Sequence, residues 1–67
     1  MTLKTLIQKF TETERQERLI LHRLKIIGIQ TIEQFRWITT EELKESRAFG
    51  PLYLRKLNMA LIELRGE

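Results

Sequence analysis

The sequence has no cysteine, a single proline (Pro51) and a single histidine (His22). It has three glycines, one tryptophan, one tyrosine and three phenylalanines in 67 residues. Without cysteine there can be no disulfide and no thiolate metal site. One histidine alone cannot build a metal cage, so no cofactor or metal is expected. No apolar run approaches the ~18 residues that cross a bilayer, and no membrane partner is expected. The opening Met1-Thr-Leu-Lys-Thr-Leu-Ile lacks the apolar core and small-residue cleavage site of a signal peptide. A reducing, cytoplasmic setting is the default expectation. A chain this short buries only ~60% of its unfolded surface, which argues against a deep active site and a small-molecule substrate. The expectation is a protein that is not an enzyme.

What is present describes one small globular domain over residues 1–67. Hydrophobic residues make up 42% of the chain and charged residues 31%, a folded rather than a disordered balance. Twelve Lys and Arg against nine Asp and Glu give a net charge of +3. That is mildly basic, and composition alone names no function.

The few glycines and the proline punctuate the chain. Gly favours the position after a helix and Pro the first helical position. Thr11…Glu14, Thr31…Gln34 and Thr39…Glu42 each have the spacing of a capping box. Together these signals predict an all-α chain with helices over about Leu3–Phe10, Glu12–Ile27, Ile32–Ile38, Thr40–Ser46 and Pro51–Arg65. Gly28 and Gly66 act as stops. The first helix is expected as an extension over residues 1–13 of a core at 14–66. No alternating strand pattern, repeat or low-complexity tract is present.

Helical spacing assigns a core. Ile20, Leu24 and Ile27 share a face, with Leu21 at its edge. Leu54, Leu57, Leu61 and Leu64 form a stripe flanked by Tyr53 and Ala60, while Ile29, Ile32, Phe35, Ile38 and Leu43 come from the middle of the chain. Leu19, Ile26, Leu52, Met59 and Ile62 point elsewhere and form a second apolar set. The expected cover for it is the first helix; the alternative is a partner protein.

The run Leu24-Lys-Ile-Ile-Gly-Ile-Gln-Thr-Ile-Glu-Gln-Phe, then Thr39-Thr-Glu-Glu-Leu-Lys, Phe49-Gly-Pro and Leu54-Arg-Lys-Leu57, resembles the C-terminal domain of the bacterial RNA polymerase alpha subunit. The similarity extends from about Arg18 to Leu64. More loosely, the region is similar to helix-hairpin-helix modules of the SAM-like type, in which a glycine and the start of the next helix hold a DNA phosphate. The resemblance implies a compact five-helix fold and double-stranded DNA as partner. It also implies that Lys25 keeps the position of a family lysine, and Gly50 that of the family glycine. The family's minor-groove arginine falls on Leu19, beside Arg18, and a family asparagine falls on His22. The family lysine and serine after the glycine become Leu52 and Tyr53, and a glutamate becomes Lys56. Pro51 has no amide hydrogen to offer a phosphate. The scaffold is thus retained while most of the minor-groove reader is replaced.

Read from the residues themselves, Arg15, Arg18, His22 and Lys25 stand at i, i+3, i+7 and i+10 and share one helix edge. Such an edge, together with a helix N-terminus opened by Gly50, can grip phosphates. It can equally be a solvated face, with Glu12, Glu14 and Glu17 nearby. Phe49-Gly50-Pro51 reads as a phosphate-presenting turn or as a plain connection with Phe49 buried. Trp37 is expected in the core, with a protein-interaction anchor as the alternative. Glu41 and Glu42 complement the dipole of a helix start.

These readings lead to one expectation and one competitor. The expectation is a small DNA-binding module of transcription or its regulation, using Arg15, Arg18, His22, Lys25, Gly50 and Lys56. The competitor is an adaptor for a transcription-related protein, binding through Leu19, Ile26, Leu52, Met59 and Ile62.

Overall fold

The computed structural model describes residues 1–66. Five helices and no strand are formed among them: α1 (Leu3–Phe10), α2 (Glu14–Ile26), α3 (Ile32–Arg36), α4 (Thr40–Glu45) and α5 (Pro51–Arg65). α1 lies against both α2 and α5, and α3 and α4 pack on α5. The first helix therefore helps to build the core. Leu3, Leu6 and Ile7 enter the same buried cluster as Ile20, Leu24, Ile29, Phe35, Leu43, Phe49, Leu57, Ala60 and Leu61.

Local chemistry explains the helix ends. Thr31 and Thr39 form reciprocal capping boxes with Gln34 and Glu42, each satisfying orphan amides at a helix start. The box expected at Thr11…Glu14 is not made. Thr13 caps α2 instead, its hydroxyl accepting from the Gln16 amide at 3.2 Å, while Gln16 Oε1 accepts from the Glu12 amide at 2.9 Å. Thr11 donates its hydroxyl back to the Ile7 carbonyl, 3.1 Å away, so it closes α1. α2 consequently begins at Glu14 rather than Glu12.

At its other end α2 stops in a Schellman motif. The Ile29 amide reaches the Leu24 carbonyl at 2.8 Å, and the Gly28 amide reaches the Lys25 carbonyl at 3.0 Å. Gly28 holds φ +90° to turn the chain, and Leu24 and Ile29 are both buried where the two carbonyls are capped. α4 ends in a comparable left-handed residue, but there the residue is Arg47 at φ 55°. A side chain at that φ carries a steric cost that glycine avoids.

Two expectations about burial are overturned. Trp37 lies outside the core, 72% exposed, because α3 ends at Arg36 and its inward positions are taken by Phe35, fully buried, and Ile32. The second apolar set is not covered by α1 either. Ile26, Leu52, Met59 and Ile62 are 68%, 59%, 50% and 40% exposed, respectively. α1 turns its apolar stripe to the core face of α2 and α5, leaving their opposite faces to solvent.

Candidate nucleic-acid interface

α2 determines the geometry of the expected basic edge. Its inward positions are Glu17, Ile20 and Leu24. The 3.6-residue period then turns Arg15, Arg18, His22 and Lys25 outward, and all four are exposed. Leu19 and Ile26 belong to the same outer face. Leu19 is half-buried and lines an open depression with Glu14, Arg15, Arg18 and His22. The cationic set and the α2 part of the apolar set are therefore one mixed surface.

The cations on this edge are largely uncommitted. Arg18 lies 3.5 Å from Glu14 in a fully solvated i,i+4 pair, an interaction of little weight in water. Among the described residues neither Arg15 nor Lys25 makes an ion pair.

The second half of the expected site is the start of α5. Gly50 is its N-cap with φ −76° and ψ 175°, extended backbone open to any residue. No side chain caps this end and Pro51 occupies the first turn, so the Leu52 and Tyr53 amides are left without helical partners. No atom lies within 4 Å of where a Gly50 Cβ would stand. The glycine here leaves an open approach to those amides, and no backbone requirement explains it. Arg23 ties the two halves together: its Nη1 donates to the Ala48 carbonyl at 2.7 Å, holding α2 beside the loop that leads into α5. Nothing in the sequence pattern singled out Arg23, since its partner lies 25 residues away.

Lys56 does not join this surface. Its Nζ donates to the Phe10 carbonyl at 3.1 Å and lies 3.5 Å from Glu12 Oε1, with only 14% of the side chain exposed. The ammonium holds the C-terminal end of α1 against α5, aided by Lys9 and Glu63 at 3.5 Å. Of the six residues expected at the DNA face, five are accessible and Lys56 is committed internally.

No model of a protein family, no curated protein and no solved structure matches this chain. Its functional reading rests on its own residues. Among the described residues no group of three or more potential metal ligands is brought together. No described helix is long and apolar enough to cross a membrane.

Proposed function

We propose that this chain is a small DNA-binding module of the RNA polymerase alpha C-terminal domain-like, helix-hairpin-helix type, acting in transcription or its regulation. Arg15, Arg18 and Lys25 would grip backbone phosphates, with His22 adding a hydrogen bond. The free amides at the start of α5 would hold a further phosphate. Leu19 stands where the family has its minor-groove arginine, so sequence preference would be weak or read through groove shape. One observation carries the reading: Arg15, Arg18, His22 and Lys25 are all exposed on one edge of α2. That edge is joined through Arg23 and Ala48 to the loop that opens α5.

The test is an amide chemical-shift titration with a short A·T-rich duplex at about 50 mM and about 200 mM salt. Three phosphate contacts predict a log–log salt slope near −2.7 (about −0.9 each), hence a ~40-fold loss of affinity between those salts. Shifts should be confined to the Arg15–Lys25 edge and the Gly50 turn. Gly50→Asp separates binding from folding, because an aspartate cap keeps or slightly raises helix stability while placing a carboxylate where the phosphate would sit. Absence of shifts at low salt would refute the proposal.

The exposure of Ile26, Leu52, Met59 and Ile62 supports the second reading, an adaptor that docks a transcription-related protein on these apolar faces. Under that reading, polar substitution of Met59 and Ile62 abolishes partner binding and leaves any DNA affinity unchanged.

A further inference from the structure

Trp37 is the most exposed of the bulky hydrophobic side chains, and it stands on a connection that is held in place. Arg65, at the end of α5, donates from Nε to the Arg36 carbonyl at 2.7 Å and from Nη2 to the Ile38 carbonyl at 2.6 Å. The two carbonyls flank Trp37, so a single guanidinium fixes the backbone on both sides of the indole. The side chain is thereby presented from an ordered support. A rigid aromatic with few torsions loses little entropy on docking, and tryptophan and arginine are the commonest anchors of interfaces.

The indole borders an open cleft of about 310 Å³ lined by Arg36, Trp37, Leu64 and Arg65. That volume is at the low end for a ligand site and suits one bulky side chain. Two of its four lining residues are cations and none is acidic. Among the described residues the carboxylate paired with Arg36 is Glu33, 3.8 Å from Nη2 and itself mostly exposed. Arg36 Nε is buried with no hydrogen-bond partner, so this guanidinium is incompletely satisfied within the chain. An apolar wall framed by positive charge calls for an apolar group framed by negative charge.

We propose that the Trp37 cleft docks an acidic segment of a partner protein. A Leu, Phe or Trp side chain of that segment packs on Trp37 and Leu64, and flanking carboxylates face Arg36 and Arg65. The surface is separate from the α2 edge and does not depend on the DNA reading. It gives the module a second contact through which an acidic protein is recruited.

The experiment is a selection of random peptides displayed against the full chain, followed by titration of individual selected peptides. Trp37 is the chain's only tryptophan, so its emission reports the cleft directly. The expected winners carry Asp or Glu around a single large apolar residue and shift the Trp37 emission on binding. Trp37→Ala, titrated calorimetrically because it carries no tryptophan, should lose at least ~30-fold in affinity, as for a hot-spot residue. Arg36→Glu should discriminate against the acidic peptides and favour versions in which their acids are replaced by lysine. Helical circular dichroism should be unchanged in Trp37→Ala, since Trp37 is exposed, and the gained preference for lysine peptides shows that Arg36→Glu is still folded. Several results would overturn the proposal: no enriched peptides, a neutral or basic consensus, or equal binding to Trp37→Ala. So would an emission change produced only by single-stranded DNA or only by raising the protein concentration, which would assign the cleft to nucleic acid or to a second copy.

Discussion

Truncating Leu6 to alanine tests whether α1 is part of the domain or merely attached to it. Leu6 is fully buried and belongs, with Leu3 and Ile7, to the cluster that also contains Leu24, Leu57 and Leu61. Buried Leu→Ala changes cost about 2–5 kcal/mol, depending on how far the site collapses. α1 is a short helix at the surface and can settle partly into the gap, so a loss of about 3 kcal/mol is expected. A domain of 67 residues has only about 3–10 kcal/mol of stability in total (about 0.05–0.15 per residue). With a urea m value near 1 kcal/mol/M for so small a chain, the unfolding midpoint should fall by about 3 M. Helical circular dichroism in a urea titration measures this, and Leu52→Ala is the control. Leu52 is 59% exposed, so its loss should move stability by no more than ~0.5 kcal/mol. If the two variants unfold within ~0.5 kcal/mol of each other, α1 is not packed as described and the single core is wrong.

Two further predictions concern the residues that break local rules. Glu17 is buried and its Oε1 has no hydrogen-bond partner; Glu17→Met should raise stability by about 1 kcal/mol in the same urea titration, since an unsatisfied buried acceptor is removed. Arg47 at φ 55° and Gly28 at φ +90° should respond in opposite directions. Arg47→Gly should be neutral or stabilising by up to ~1 kcal/mol, whereas Gly28→Ala should cost ~1–2 kcal/mol, measured as opposite shifts in thermal midpoint.

What the sequence made legible is what local chemistry decides. Gly28, the Thr31–Gln34 and Thr39–Glu42 boxes and Pro51 act within a turn or two of themselves, and the helices begin or end beside each of them. At the start of α2 two overlapping patterns, Thr11…Glu14 and Thr13…Gln16, compete, and spacing cannot rank them; the Thr11 hydroxyl is drawn to the Ile7 carbonyl instead. The α2 edge was readable because α2 is long enough for periodicity to fix its outward face. Trp37 was not, because the inward face of the five-residue α3 is filled by Phe35 and Ile32 and Trp37 follows its end. Lys56 looked like any free cation on α5. Only its approach to Phe10, 46 residues earlier, shows that its charge is spent inside the fold. Arg23 and Arg65 are similar cases, each bonded to carbonyls at least 25 residues away.

The docking of α1 on α5 sets the order of synthesis against the order of assembly. Leu3, Leu6 and Ile7 leave the ribosome more than 50 residues before Leu61, yet their cover includes Leu57, Ala60 and Leu61. The Phe10 carbonyl waits another 46 residues for the Lys56 ammonium, roughly 2–9 s at translation rates of about 5–20 residues per second. During that interval the apolar stripe of the nascent α1 has only α2 to pack against and lacks its α5 cover, which leaves apolar surface open to chaperones that hold unfolded chains. The domain should therefore close in one late step, and a nascent chain released before Leu61 should be degraded rather than accumulate as a partly folded fragment.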